Sequence, residues 1–179
     1  PESAAIVAAL KRDGVEHVIM LTGDNRGTAQ EVGQRIGLSE VEAELLPQDK
    51  VSAIEKLVGR YGSVAMVGDG INDAPALRAA NLGISMAAAG SDTAMEAADV
   101  ALMSDDLAKI PWLVRHARRM MSIIRANIFL SLAVKAVFVA LTFAGTASLW
   151  AAIAADMGVS LLVIANALRL LSSEADAAQ

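Results

Sequence analysis

Short apolar runs alternate with amphipathic stretches through residues 1–107, and near-continuous apolar stretches replace that alternation further on. Val18-Ile19-Met20-Leu21, Val64-Ala65-Met66-Val67, residues 82–86 and residues 100–103 have the length and density of buried strands. Residues 3–10, 25–36, 48–59, 74–80 and 91–97 carry helical spacing; Val51, Ile54, Leu57 and Val58 fall on one face of the third, and Gly14 and Gly37 stand where the first two should end. Strand, helix, strand at these intervals predicts an α/β unit whose parallel sheet is covered on both faces.

Beyond Asp106 the reading changes. Residues 108–125 form a basic amphipathic helix bearing Arg115, Arg118, Arg119 and Arg125, and it runs into an apolar stretch at 127–147. A second apolar stretch occupies 149–171, and each is close to the roughly 20 residues that cross a bilayer as a helix. The intervening Gly145-Thr146-Ala147-Ser148 is short enough to demand a hairpin. Basic residues lie before the first span and after the second, at Arg169, and none lies in the turn, so both chain ends are expected in the cytosol. Trp150 sits at the level of an interfacial anchor. The expected organisation is a soluble part at 1–107, a linking helix at 108–126, a transmembrane hairpin at 127–171 and a disordered tail at 172–179. Residues 1–126 would be cytosolic.

Charge follows the same division. Residues 1–107 hold 17 acids and 8 bases, net −9, whereas 108–171 hold 1 acid and 7 bases, net +6. The absence of cysteine excludes disulfides, thiolate ligands and cysteine nucleophiles within these residues and fits a reducing compartment. Residues 1–10 lack the features of a signal peptide, and the first residue is not Met, so the chain is expected to be a piece of something longer. His17 and His116 have no second ligand at metal-binding spacing, and Met120, Met121 and Met157 read as apolar filler. The arginine cluster beside a span, without interleaved aromatics, points to anionic headgroups and away from nucleic acid.

The chemistry concentrates at two junctions between strand and loop. Gly68-Asp69-Gly70-Ile71-Asn72-Asp73-Ala74-Pro75 places two carboxylates four residues apart in a glycine-rich loop, an arrangement suited to Mg²⁺. Thr22-Gly23-Asp24-Asn25 is the second junction, and in a parallel sheet both fall on one edge. Thr22 and Lys50 could hold phosphoryl oxygens while Asp69 and Asp73 hold the metal, a phosphoryl-transfer set lacking a nucleophile. Taken singly, Asp24 and Asp73 could equally be helix N-caps and Lys50 a solvated lysine. Lys135 and Asp156 stand near the middles of the two spans. Each would cost roughly 2.5–3.5 kcal/mol in lipid on insertion scales, which leaves open a structural ion pair or an ion site.

The strings at 22–25, at 47–50 (Pro47-Gln48-Asp49-Lys50) and at 68–75 resemble the second half of the phosphorylation domain of P-type ATPases, within the haloacid-dehalogenase superfamily. The resemblance implies a Rossmann-like, haloacid-dehalogenase-type parallel sheet, present in part. It implies that Asp69 ligates catalytic Mg²⁺, with Asp73 and Asn72 completing the loop. Thr22 and Lys50 would contact the phosphoryl group derived from ATP, with Gly23 and Asp24 shaping the site and Asn25 in support. The family's phosphorylated aspartate, nucleotide-binding domain and earlier spans have no counterpart in these 179 residues, so this piece alone is expected not to turn over ATP.

The hairpin carries a narrower resemblance. Asn127-Ile128 through Lys135, Ala155-Asp156-Met157-Gly158 and Asn166-Ala167-Leu168-Arg169-Leu170 are similar to the last two spans of heavy-metal P-type ATPases, above all the zinc/cadmium/lead branch. That likeness implies that Asp156 binds the transported ion, Zn²⁺ or Cd²⁺ foremost, and that Lys135 is its counter-ion. Copper exporters carry paired serines in the last span, which this chain lacks, and Zn²⁺ accepts carboxylate oxygen where Cu⁺ prefers sulfur. The implied protein is the C-terminal part of an efflux pump of the plasma (inner) membrane, with the bilayer, the metal ion and the missing N-terminal domains as partners. Two other readings stay open: a superfamily phosphatase fused to an anchor, and a truncated scaffold or regulator without activity.

Overall fold

The computed structural model describes residues 2–68, 72–86, 96–103, 106–146 and 148–172. Asp69, most of the helix expected at 91–97 and nearly all of the expected tail lie outside the described residues. The chain divides into two compact units, 1–114 and 115–179.

In the first unit the predicted alternation is present: α1 (Glu2–Arg12), β1 (Ile19–Leu21), α2 (Arg26–Ile36), β2 (Glu40–Glu42), α3 (Pro47–Tyr61), β3 (Ala65–Gly68), α4 (Ala74–Ala79), β4 (Leu82–Met86) and β5 (Val100–Leu102). Parallel neighbours need a crossover rather than a tight turn, and α2 and α4 supply two of them. β1 pairs with β2, Met20 opposite Val41, and β3, β4 and β5 form a second parallel set with Gly68 opposite Ser85 and Ser85 opposite Ala101. β2 is an element the periodicity does not reveal, because its three residues, Glu-Val-Glu, give only one apolar position. Packing accounts for it: α2 lies so close that a Cβ on Gly33 would fall 2.4 Å from a Val41 methyl, which restricts that position to glycine.

One core joins the two strand sets. Ile54 and Leu57 of α3, Met66 of β3 and Ala76 and Leu77 of α4 are buried together, with Ile19 and Leu21 of β1 packed against them. Burying a side chain such as Leu77 contributes about 1.5–3 kcal/mol. Ile84, Leu102 and Ile110 form a second cluster, flanked by Leu10 and Leu113. The expected burial on both faces holds at β4, where Gly83, Ile84 and Ser85 are all buried, but not at β3, where Met66 and Gly68 are buried and Ala65 and Val67 are exposed. α3 and α4 cover the Met66 face, and the other face is covered further along the sheet, where Ile84 of β4, beside Val67, packs with Ile110 and Leu10.

The basic stretch and the first apolar stretch form one helix, α5 (Lys109–Phe143), without interruption. Its proline, Pro111, lies in the first turn, where no intrahelical donor is lost. At 1.5 Å per residue α5 is about 50 Å long. Gly145, at φ 71°, turns the chain, Thr146 Oγ1 donates to the Leu141 carbonyl at 3.2 Å, and Ser148 Oγ accepts from Ala151 N at 3.1 Å to start α6 (Leu149–Ser172). Both helices are long and apolar enough to cross a membrane. Met120, Met121 and Met157, expected as apolar filler, are exposed in this two-helix unit.

Candidate functional site

Thr22, Gly23 and Asp24 follow β1, and the loop that enters α3 is laced to them through the backbone. Thr22 N donates to the Glu42 carbonyl at 3.0 Å, Glu44 N to the Asp24 carbonyl at 2.9 Å, and Leu45 N to the Thr22 carbonyl at 3.1 Å. Glu44 adopts φ +61°, a left-handed conformation costing a non-glycine residue about 1–2 kcal/mol, and it lets this loop reach back. Sequence reasoning missed Glu44 and Leu45, since nothing in their composition marks a clamp. The same loop delivers α3. Pro47 opens the helix and Asp49 Oδ2 accepts from Leu46 N at 3.0 Å, setting Lys50 one turn in.

Lys50 reaches across to α4. Its Nζ lies 2.6 Å from Asp73 Oδ1, and the two side chains retain only 19% and 13% of their exposure. Lys50 is therefore not a solvated lysine. Asp73 occupies the N-cap position of α4 but makes no capping hydrogen bond through its side chain, so the alternative of a simple cap fails there. Gly68 explains how the carboxylate fits: a Cβ at that position would meet Asp73 Cβ and Oδ2 at 3.0 Å. The glycine that ends β3 makes room for the acid.

At the other junction Thr22 Oγ1 donates to Asp24 Oδ2 at 3.0 Å and accepts from Asp24 N at 3.1 Å. Asp24 does not cap α2. That role belongs to Asn25, whose Oδ1 accepts from Thr28 N at 3.0 Å. Asn72 is exposed beside Asp73. Among the described residues no three His, Cys, Asp or Glu side chains cluster as a metal site, so Asp73 is the member of the acidic pair whose surroundings are defined. Ser85, opposite Gly68, is fully buried and its Oγ has no hydrogen-bond partner among the described residues.

The second unit holds its own polar pairs. Lys135 Nζ and Asp156 Oδ1 are 3.8 Å apart across the hairpin, with side chains 67% and 64% exposed. Toward the chain-terminal end of the hairpin, Asn166 Nδ2 donates to Asn127 Oδ1 at 2.7 Å, and Arg169 Nη1 donates to Asn166 Oδ1 at 3.4 Å. His17, expected to be unremarkable, stacks on Tyr61 at 4.4 Å between ring centres.

A family model for haloacid dehalogenase-like hydrolases matches residues 1–81. A probable cadmium-transporting ATPase of Listeria monocytogenes is 54% identical over 169 residues, which cover 94% of this chain and 24% of that protein. A zinc-transporting ATPase of Synechocystis is 48% identical over 171 residues, again covering 94% of this chain and 24% of that protein. Over nearly its whole length the chain is similar to these metal-transporting ATPases. It spans about a quarter of the length of these relatives.

Solved structures agree with that similarity at the level of the fold. The catalytic domain of the CPx-ATPase CopB-B is 34% identical with a TM-score of 0.56, the match covering 64% of this chain and 45% of that one. A 3-deoxy-D-manno-octulosonate 8-phosphate phosphatase of Moraxella catarrhalis, 21% identical with a TM-score of 0.56, covers 71% of this chain and 75% of its own, and shows the haloacid dehalogenase-like fold alone. Residues 22–25 and 47–50 thus belong to a haloacid dehalogenase-like α/β fold with parallel strands, in a chain that also carries two long apolar helices.

Proposed function

We propose that this chain is the C-terminal part of an ATP-driven pump that exports Zn²⁺ or Cd²⁺, in which aspartyl-phosphate chemistry in the first unit drives release of an ion held at Asp156. The observation that carries the transport reading is the Lys135–Asp156 pair, because no other charged residue occurs between Arg125 and Arg169. A hairpin that served only as an anchor has no reason to carry two ionisable groups in its apolar centre. Both side chains are about two thirds exposed in the hairpin itself, so in a bilayer they need protein or water around them, as a site completed by other spans would provide.

In the first unit Thr22 and Lys50 would bind phosphoryl oxygens, with Gly23 and Asp24 shaping the loop. Asp69 and Asp73 would hold Mg²⁺. Oxygen donors suit that ion, and Gly68 leaves the space in which the Asp73 carboxylate sits, with Lys50 fixing Oδ1. When bound, the ion would neutralise charge on the phosphoryl oxygens. The proposed organisation keeps 1–107 as phosphorylation-domain sequence, 108–126 as linking helix and 127–171 as membrane hairpin, with 1–126 on the cytosolic side of the plasma membrane.

The test uses the full-length protein that contains this sequence. Asp156→Ala is expected to abolish stimulation of ATP hydrolysis by Zn²⁺ and Cd²⁺ while the protein still inserts in membranes. Stimulation that survived with unchanged metal selectivity would remove Asp156 from the transport site.

A further inference from the structure

We infer that the cytosolic ends of α5 and α6 form a binding site for an anionic phospholipid headgroup, built from Arg125 and Arg169 with Arg118 and Arg119 above them. The inference rests on the hairpin reading given under Proposed function. Its starting point is depth. Lys135 lies ten residues before the Gly145 turn and ten after Arg125, about 15 Å each way along the helix, which puts the Lys135–Asp156 pair midway between a turn without charge and a basic end. Half of a hydrocarbon core of about 30 Å is the same 15 Å, so Arg125 meets the boundary where headgroups begin. Arg169 lies 13 residues beyond Asp156, about 20 Å, within the headgroup layer.

The two arginines also share one end of the hairpin in register. The Asn166–Asn127 hydrogen bond of 2.7 Å ties the helices together two residues after Arg125 and three before Arg169. Arg169 leans on the same bridge through its 3.4 Å contact with Asn166 Oδ1. Arg115, Arg118, Ser122 and Arg125 follow one another at three, four and three residues, so they line one stripe of α5, with Arg119 beside it. Arg118, Arg119, Arg125 and Arg169 are all exposed. Met120 and Ile124, also exposed, lie off that stripe, and exposed Met121 borders it; together they supply apolar surface for acyl chains. Charge complementarity and continuity with the lipid-facing helices select a phospholipid with a net negative headgroup, since a zwitterionic one offers its phosphate already balanced.

The experiment offers the full chain in detergent equal amounts of phosphatidylcholine and phosphatidylglycerol and reads the retained lipid by native mass spectrometry. Wild type is expected to retain the anionic lipid about tenfold or more over the neutral one, as two arginines near a membrane surface predict. Arg125→Gln with Arg169→Gln should bring the ratio close to unity, Arg118→Gln with Arg119→Gln should lower it by a smaller factor, and Arg125→Lys with Arg169→Lys should keep most of it. An unbiased wild type, or a double glutamine variant that keeps the bias, overturns the site. Should the double variant fail to fold, wild type decides: the bias must fall steeply as salt rises from about 0.05 to 0.5 M, and a salt-independent bias counts against the site. Displacement of the bound lipid by millimolar inorganic phosphate would overturn the lipid assignment in favour of a phosphate site. Insertion into vesicles of phosphatidylcholine alone separates the two readings. A chain that inserts there without lipid bias refutes this site only, and a chain that fails to insert refutes the hairpin beneath it.

Discussion

Lys50 and Asp73 come from different helices, 23 residues apart, and meet at 2.6 Å in a pocket where neither side chain keeps a fifth of its exposure. Neither partner is replaceable by a neutral residue without leaving the other poorly solvated. Lys50→Met is expected to lower the stability of the first unit by about 1–3 kcal/mol, measured by denaturant unfolding of the chain, the discount from a fully buried pair reflecting the remaining exposure. In the full-length protein the same change is expected to lower ATP hydrolysis by about a hundredfold or more.

Gly68→Ala tests whether the room beside Asp73 matters. The added Cβ would stand 3.0 Å from the Asp73 carboxylate, so the acid must move or the strand end must yield. The expected result is a rise in the Mg²⁺ concentration needed for half-maximal activity by about tenfold, with a circular dichroism spectrum like that of wild type. Unchanged Mg²⁺ dependence would show that Asp73 tolerates displacement.

Asn166→Leu should loosen the hairpin through a single lost hydrogen bond. A double-mutant cycle with Asn127→Leu is expected to give a coupling of about 0.6 kcal/mol, and at most about 1.7, since an unfolded span in lipid finds other polar partners. Steric-trap or denaturant unfolding in bicelles would read it.

Ser85→Ala offers a contrasting case. The hydroxyl is buried and lacks a partner among the described residues, so removing it should leave stability unchanged or raise it by up to about 1 kcal/mol. A loss greater than that, by thermal unfolding, would reveal a hydrogen bond made to residues beyond those described.

The alternating runs made the parallel arrangement legible, because burial leaves a direct imprint on composition, and two apolar stretches joined by a four-residue turn made the hairpin legible. β2 was not, since a three-residue strand with acids at both ends carries almost no periodic signal and exists through Gly33 and the pairing to β1. Of the expected site residues, Lys50 and Asp73 come together. That Asn25 rather than Asp24 caps α2 was not legible, because both residue types suit an N-cap; only the bond to Thr28 N separates them. Glu44 was invisible for a different reason. Its task lies in its backbone angle, which side-chain identity does not encode.

β1 and β3 each have a strand neighbour on one side only among the described residues, and they share a core through α3. Each therefore keeps a row of peptide groups without a strand partner among the described residues, at β3 beside the exposed Ala65 and Val67. Such edges accept any extended segment that comes near. For the biochemist handling this polypeptide, the first difficulty will be strand-mediated self-association, and a segment that pairs with those edges will act as a solubility factor as much as a catalytic one.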